Sequence, residues 1–281
     1  MSVITFVNNI EEETGKTMSL VAIATNMAID YNNKILIIST TNKFDRVKTC
    51  FFEDVQVKKI RRGILGARTA ILDNESGMEG LAKIIRSNRL TPEMITNYTK
   101  VVFRDRLEAI LGVKDTENSE KIQEEYVELI KVANQYYDRI FVDLDNNIEP
   151  NVRQQIIDHS DLVIVNTSQN FNSLQQLKEN KKNDELLKSA RTLFLMGRYD
   201  KFSKYNIKNV TRFLEEKNQI LTIPYNTLFF EAANESNVAD LFLRFKKISD
   251  PDDRNALFLK EVKRATENII YRLQELQATR G

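Results

Sequence analysis

Residues 3–19 read VITFVNNIEEETGKTMS, and this stretch decides the fold. Val3–Val7 is a short run of apolar and β-branched residues, the composition of a buried strand. From Leu20 onward apolar residues recur every three or four positions, which predicts an amphipathic helix over residues 17–31. The stretch therefore predicts a strand, a polar loop and a helix in direct succession.

The loop ends in Thr14-Gly15-Lys16-Thr17, where the helix is expected to begin. A strand, a loop, Gly-Lys-Thr and a helix in this order are what a phosphate-binding loop requires. Gly15 lets the backbone approach a phosphate, Lys16 reaches the β- and γ-phosphate oxygens, and the Thr17 hydroxyl binds Mg²⁺. Free N–H groups and the helix dipole favour an anion at the start of the helix. The sequence thus predicts a nucleotide-binding loop.

The same loop departs from the pattern Gly-x-x-x-x-Gly-Lys-[Ser/Thr] at its first position, which Ile10 occupies. Glu11, Glu12 and Glu13 fill the part that should curl around phosphate. Carboxylates facing a nucleotide would repel it by about 1 kcal/mol each in water-like surroundings. Side chains that point outward would leave the backbone amides free to bind. Two interpretations follow: a loop that binds nucleotide, Glu12 and Glu13 included, and a vestigial loop that binds nothing.

Further apolar runs recur between amphipathic stretches, the pattern of repeated β-α-β units. These runs are continuous rather than alternating, which indicates parallel strands buried on both faces. The later predicted strands are Ile35–Ser39, Ile140–Asp143, Leu162–Val165, Thr192–Met196 and Ile220–Ile223, with Val101–Phe103 and Leu107–Leu111 as a further one or two. The sequence thus predicts an α/β fold in three layers, α/β/α, with a mostly parallel, doubly wound sheet of the P-loop NTPase type.

The chain length and the scarcity of glycine and proline indicate the domain organisation. The chain has 281 residues with only 8 glycines and 4 prolines, and no Gly-, Ser- or Pro-rich linker divides it. We therefore expect a single P-loop NTPase-like domain over residues 1–281. Apolar residues over about 252–277 predict a long C-terminal amphipathic helix. We expect it to pack against the sheet or a partner rather than to lie on a membrane surface.

Composition excludes several kinds of site. Cys50 is the only cysteine and His159 the only histidine, so an internal disulfide and a Cys- or His-rich metal site are excluded. Basic and acidic residues number 41 and 40, so no global field attracts nucleic acid or membrane. No apolar run approaches the ~20 residues that span a bilayer. The N-terminus lacks the pattern of a secretory signal, and a cytoplasmic location is expected.

Four segments of the chain resemble the ParA/MinD superfamily of deviant Walker-A ATPases, and together they span nearly its whole length. They are residues 11–17 (EEETGKT), 34–41 (KILIISTT), 137–143 with 160–165 (YDRIFVD and SDLVIV), and 223–226 with 232–235 (IPYN and AANE). In order, they are similar to the family's Walker-A loop, its second strand, its Walker-B strand with the strand after it, and its late segment near the adenine.

The resemblance implies ATP or ADP with Mg²⁺ as the ligand. The residues that it implies for nucleotide binding are Glu12, Glu13, Thr14, Gly15, Lys16, Thr17 and Met18 in the loop, with Arg198, Pro224 and Tyr225 near the base. Thr17 and Asp143 are implied as the metal-binding pair. We expect Asp143 alone to face the site and Asp145 to lie on the opposite face of the strand end.

Three family positions are altered in this chain. The signature lysine, which reaches across the dimer to the partner's phosphates, falls at Glu11, and the two aspartates that close the second strand fall at Ser39 and Thr41. In the family the second of these aspartates helps to position the attacking water. Thr41 cannot act as a base at neutral pH. We therefore expect weak nucleotide binding and, for any ATPase activity, impaired turnover.

Such a loss of motif residues is typical of the CpaE/TadZ-like branch of the superfamily, which is associated with assembling Flp-type (tight-adherence) pili. The resemblance then implies a homodimer that binds a protein partner in a pilus or secretion assembly, held through that partner at the inner face of the cell membrane. Two alternatives remain. A ParA-type partition ATPase would bind DNA through basic residues, with Lys201, Lys204, Lys208 and Arg212 as candidates. A structural interaction protein would bind no nucleotide.

Overall fold

A computed structural model describes residues 1–9, 14–42, 44–53, 77–113 and 121–279. Within these residues eight strands form one sheet in the order β3-β4-β2-β5-β1-β6-β7-β8. Every neighbouring pair is parallel except the β3–β4 hairpin at one edge. The strands are β1 Ser2–Asn8, β2 Ile35–Ser39, β3 Lys100–Phe103, β4 Leu107–Ile110, β5 Arg139–Asp143, β6 Leu162–Thr167, β7 Thr192–Tyr199 and β8 Leu221–Pro224.

Helices cover both faces of this sheet, so the predicted three-layer architecture is confirmed. On one face lie α1 Lys16–Asp30, α2 Arg46–Phe51, α9 Thr227–Asn234, α10 Val238–Phe245 and α11 Arg254–Ala278. On the other face lie α3 Met78–Arg86, a 3₁₀ turn Glu93–Asn97, α4 Glu125–Ala133, α5 Pro150–Asp158, α6 Phe171–Asn183, α7 Glu185–Lys188 and α8 Ile207–Leu214.

Strand β2 illustrates why a continuous apolar run specifies a central strand. All its residues are buried, and successive side chains of a strand point to opposite faces. Ile35 and Ile37 therefore join the core under α1 and α11, whereas Leu36 and Ile38 join the core under α3 and α4. A strand with one solvated face would have alternated with polar residues.

The last helix, α11, begins after Asp253, whose carboxylate accepts hydrogen bonds from the N–H groups of Asn255 and Ala256. Its buried stripe packs against α1, α10 and β8. The stripe comprises Phe258, Val262, Ala265, Thr266, Ile269 and Leu273. The expected packing on the body of the protein is therefore confirmed. Among the helices of the described residues, none is long and apolar enough to cross a membrane.

Strand β1 lies between β5 and β6, and the connections on its two sides run in opposite directions across the sheet. From β1 the chain passes through α1 toward β2, whereas from β5 it passes through α5 to β6 on the far side of β1. Ligands of open parallel sheets bind beyond the carboxyl ends of the strands at such a reversal. The fold thus places the start of α1 at the position where a ligand is expected.

Candidate functional site

The loop after β1 ends in a backbone conformation that suits glycine. Gly15 has φ 79° and ψ 19°, in the left-handed region, and immediately precedes the first residue of α1. Its carbonyl accepts the Ser19 N–H at 2.9 Å, and the first turn of the helix contains no acidic residue. The buried Thr14 donates its hydroxyl to the Asn8 side-chain oxygen at 2.6 Å. The predicted strand and helix are confirmed, while residues 10–13, Glu12 and Glu13 among them, lie outside the described residues.

Lys16 extends from the start of α1 to the end of β5. Its Nζ lies 2.9 Å from Asp143 Oδ1 and donates a hydrogen bond to the Leu144 carbonyl. The side chains of Lys16 and Asp143 are only 10% and 7% exposed. Asp143 Oδ1 has no well-directed hydrogen bond, so its contact with Lys16 is an ion pair without an ideal donor angle. Lys16 and the aspartate that ends β5 therefore lie side by side in one buried position.

Thr17 completes this arrangement from the next position of α1. Its hydroxyl donates to Asp143 Oδ2 at 2.7 Å. A hydroxyl and a carboxylate are hard oxygen ligands, and Mg²⁺ is commonly bound by one or two such groups together with substrate phosphates. In the part of the chain that the structure describes, no group of three or more Asp, Glu, His or Cys side chains is arranged to hold a metal ion by itself. The residues therefore fit a metal held jointly with a nucleotide.

A cavity of about 520 Å³ opens in front of these residues, within the usual range of small-molecule sites. Predicted site residues in its wall are Thr14, Gly15, Lys16, Thr17, Met18, Asp143 and Arg198. The other residues in the wall are Asn8, Thr41, Phe44, Arg46, Asp145, Asn146 and Asn147. The wall thus contains three cationic side chains, of Lys16, Arg46 and Arg198, and two carboxylates, of Asp143 and Asp145. This combination of charges suits a phosphate group together with a metal ion.

Pro224 and Tyr225 lie outside this cavity. They line a smaller space of about 30 Å³ whose wall also includes Gly15, Met18 and Arg198. The two spaces therefore meet along the loop and the end of β7. A β-bulge between Gly197 and Tyr199 sets the direction of Arg198, which has φ 52°. The structure brings the loop and the late segment together as the resemblance implies, with Pro224 and Tyr225 on the side away from Lys16.

Gly197 is buried directly beneath the loop. A Cβ atom at this position would lie 2.3 Å from the Thr14 carbonyl oxygen and 3.3 Å from the Gly15 Cα. Such distances are too short for any side chain, so only glycine lets β7 approach the loop this closely. The sequence analysis missed this role, because nothing local in the sequence indicates what packs on residue 197.

Asp145 also faces the cavity, so the expectation that Asp143 alone does so is wrong. Strand β5 ends at Asp143, and the Asp145 N–H donates to the Thr40 hydroxyl at 2.9 Å. Side chains two positions apart point to the same face of extended backbone, so alternation places Asp145 with Asp143 rather than opposite it. Burial alone would raise the Asp145 pKa, but hydrogen bonds from Asn147 and Thr41 and the nearby Lys16 charge lower it below its usual value. The side chain is therefore a carboxylate at neutral pH.

The end of β2 contains three successive hydroxyl residues, Ser39 in the strand and Thr40 and Thr41 directly after it. Ser39 pairs in register with Asp143, and its hydroxyl donates to Asp45 Oδ1 at 3.3 Å. Asp45 also accepts the N–H groups of Lys48 at 3.2 Å and Gly112 at 2.7 Å. Burial raises the Asp45 pKa despite these hydrogen bonds. Asp45 thus caps α2 and links it to the end of β4, and it is absent from the cavity wall.

The cavity residues that sequence reasoning missed share one feature. Asn8 ends β1, Phe44 and Arg46 follow β2, and Asn146 and Asn147 follow β5. A search for polar and aromatic residues just beyond the carboxyl ends of the predicted central strands would have found them.

Comparison by sequence gives no relative: no protein-family model and no curated protein matches the chain. Comparison by fold gives several. A ParA family ATPase from Chlorobium tepidum TLS matches with a TM-score of 0.70 and 15% identity over 95% of this chain and 98% of that one. The septum site-determining protein MinD from Pyrococcus horikoshii OT3, complexed with Mg-ADP, matches with a TM-score of 0.63 and 16% identity over 95% of each chain.

A putative plasmid partition protein from Borrelia burgdorferi B31, bound to AMPPNP, matches with a TM-score of 0.63 and 18% identity over 96% of this chain and 99% of that one. At such identities the likeness concerns the fold. It extends over almost the full length of each structure. The chain therefore has the fold of the ParA/MinD-type P-loop ATPases.

Proposed function

We propose that the chain is a degenerate ParA/MinD-like P-loop protein that binds ATP or ADP with Mg²⁺ weakly and hydrolyses ATP slowly or not at all. One observation carries the proposal. Gly15, Lys16, Thr17 and Asp143 meet at the carboxyl end of β1 around a single cavity, while Thr41 occupies the wall where a family member would have an acid.

Binding would use groups that the chain already brings together. The N–H groups at the start of α1 point toward an anion, and Lys16 lies within reach of both the cavity and Asp143. Thr17 and Asp143 would hold Mg²⁺, which when bound neutralises charge on the phosphates. Arg46 and Arg198 add positive charge at the cavity wall. Because Lys16 is paired with Asp143, a phosphate must compete with that carboxylate, which supports weak rather than tight binding.

Turnover requires a group that positions or deprotonates water. The Thr41 hydroxyl does not titrate near neutral pH, and a general base is most effective when its pKa lies near the working pH. Asp145 is the other candidate in the wall, but its pKa is lowered and its carboxylate already accepts two hydrogen bonds from Asn147. Neither group suits the role, which supports impaired hydrolysis.

The cellular role that we propose is positioning or assembly in a pilus or secretion machinery of the CpaE/TadZ type. The protein would act as a single-domain homodimer through contacts with a protein partner. It would remain cytoplasmic and reach the inner face of the membrane through that partner. The support is the combination of a ParA/MinD-type fold with a site whose described residues retain binding groups and include no suitable base.

We expect Mg-ATP to raise the melting temperature of the wild-type protein without measurable turnover. A ligand that binds only the native state stabilises it by about 2.7 kcal/mol at a hundredfold excess over Kd. Phosphate release should equal that of Lys16→Ala within error. Melting curves with Mg-ATP, with ATP and EDTA, and without nucleotide, combined with a phosphate-release assay, check both parts. An unchanged melting temperature would favour the nucleotide-free interaction protein, and steady phosphate release by the wild type at about 1 per second or faster, the range of ordinary enzymes, would refute impaired turnover.

A DNA-partition role is the second candidate, and one surface favours it. Lys201, Lys204, Lys208 and Arg212 are all exposed along the β7–α8 connection and α8. Lys208 and Arg212 lie one helical turn apart, on the same side of α8. Binding to DNA through phosphate contacts would weaken steeply with salt. Gel-shift measurements at low and high salt distinguish the two roles, because a positioning factor should shift no bulk DNA even at low salt.

A further inference from the structure

A second and larger cavity, about 870 Å³, lies beside the edge strand β8. One wall is the exposed side of α11, and the other is the connection from β7 to α8, residues 199–207. We call it the α11 groove. It shares only Pro224 and Tyr225 with the base side of the nucleotide site. Apart from these two residues, which the resemblance places near the base, the proposed nucleotide site uses none of its lining.

The α11 wall is a regular stripe of residues three or four positions apart. The residues of the stripe are Arg254, Leu257, Glu261, Arg264 and Asn268. This spacing places them on one helix face, and the stripe is about 20 Å long at 1.5 Å per residue. A groove of this length is longer than a typical small molecule and corresponds to three or four turns of a bound helix or to about six extended residues.

Apolar side chains are exposed at both rims of the groove. Phe202 is 85% exposed, Tyr225 57% and Leu257 39%, while the floor contains the buried Leu221 and Phe258. Scattered exposed hydrophobic residues are ordinary, but here several converge on one concavity. Burying them would supply the apolar contact area that peptide recognition in a groove requires.

The charged residues at the rim indicate which charge a bound peptide should carry. Lys201, Arg254 and Arg264 form no ion pair with any described residue. With the Gln219 amide turned to satisfy its neighbours, its oxygen accepts from Arg264 Nε at 3.1 Å and Nη2 at 2.8 Å, so that guanidinium is held in place without a counter-charge.

The two carboxylates of the groove are already used within the chain. Asp200 accepts the Phe202 N–H at 2.9 Å, and Glu261 accepts the Thr222 hydroxyl at 3.2 Å. These neutral donors leave both negative charges in place, so three cations stand against two carboxylates and the groove has a net charge of +1, which an acidic occupant complements.

We propose that the α11 groove binds an acidic, apolar peptide segment of a partner protein, with its apolar side chains against Phe202 and Leu257 and its carboxylates at Lys201, Arg254 and Arg264. The inference goes beyond the nucleotide site and stands without it. It gives a chemical identity to the partner segment that a positioning or assembly factor must bind.

The test uses a displayed library of random 16-residue peptides, selected on the full-length protein. Peptides that combine Asp or Glu with Leu, Ile or Phe are expected to be enriched. Fluorescence polarisation then measures the affinity of labelled enriched peptides for each protein. The double variant Arg254→Glu/Arg264→Glu and the variant Leu257→Asp should each bind these peptides about tenfold or more weakly than the wild type. These three positions are exposed, so the variants should fold. The matched control is Lys260→Glu/Lys263→Glu, which reverses two exposed charges of α11 outside the groove and should leave affinity unchanged.

Three results would overturn the proposal. Enrichment of no peptide, or of basic peptides, contradicts the expected chemistry. Equal weakening by the groove variants and by the control pair would show only a general charge effect. Sedimentation in which Arg254→Glu/Arg264→Glu dissociates a wild-type dimer, with no peptide bound to either form, would assign the groove to a second copy of the chain.

Discussion

A Gly197→Ala variant should lose most of its affinity for a fluorescent ATP analogue and should unfold more easily than the wild type. The added methyl group would lie 2.3 Å from the Thr14 carbonyl oxygen and 3.1 Å from the Ser19 hydroxyl. Backbone cannot yield as a flexible side chain does, so either the loop or β7 must move. Inserting one methyl group into a packed interior costs about 1–3 kcal/mol of the free energy of unfolding, and displacing the loop moves the N–H groups that bind phosphate.

The matched control for this prediction is Arg198→Ala. It changes the neighbouring residue of the same bulge, removes an exposed side chain and adds no atom beneath the loop. Its denaturant midpoint should stay near that of the wild type. Urea unfolding of both variants measures the denaturant midpoint, and titration with the fluorescent ATP analogue measures the affinity. A Gly197→Ala protein with wild-type midpoint and wild-type affinity would mean that the loop does not rest on β7 as described.

An Asp45→Ala variant should lose about 2–4 kcal/mol of the free energy of unfolding. Loss of the helix cap accounts for about 1 kcal/mol. The Gly112 N–H, which donates to Asp45 at 2.7 Å, would lose its acceptor at a part-buried site, which costs about 1–3 kcal/mol. Asp45→Asn retains one acceptor oxygen and should lose less than half as much. Urea unfolding of the three proteins measures these differences.

This prediction separates a structural role of Asp45 from a catalytic one. Asp45 is absent from the cavity wall, and its hydrogen bonds join α2, β2 and the end of β4. Nucleotide affinity per folded molecule should therefore change little in Asp45→Asn. A stable Asp45→Ala protein, or an Asp45→Asn protein with normal stability and lost affinity, would contradict the structural role.

The sequence predicted the features that arise from local patterns. Val3–Val7 and the other continuous apolar runs became the buried strands, because a strand covered on both faces leaves no position for polar side chains. The Gly15-Lys16-Thr17 junction also became the start of a helix, because the Gly15 conformation and the helical periodicity are both encoded within a few residues.

The features that sequence reasoning missed depend on contacts between distant segments. Gly197 lies beneath Thr14 only because of where β7 sits in the sheet, and Asp45 meets Gly112 only because α2 and β4 end side by side. Asp145 was misplaced because residues two positions apart share a face of an extended strand, whereas the expectation put Asp143 and Asp145 on opposite faces. The α11 groove likewise requires the β7–α8 connection to lie opposite α11. No local pattern specifies such pairings.

The three glutamates of the loop remain a prediction from the sequence. Glu11, Glu12 and Glu13 lie outside the described residues, so their effect on nucleotide binding is predicted from their charge. If their carboxylates faced a nucleotide, each would weaken binding by about 1 kcal/mol in water-like surroundings. Carboxylates in that position would add to the competition of Asp143 for Lys16, which is the source of weak binding among the described residues.

Titration with a fluorescent ATP analogue in the presence of Mg²⁺ tests the central claim most directly, with wild type, Lys16→Ala and the exposed control Lys208→Ala compared as folded proteins. A hydrogen bond to a charged group contributes about 1.5–3 kcal/mol, so Lys16→Ala should bind at least about tenfold more weakly than the wild type, and Lys208→Ala should bind as the wild type does. Equal affinity of wild type and Lys16→Ala would show that no nucleotide binds at this loop.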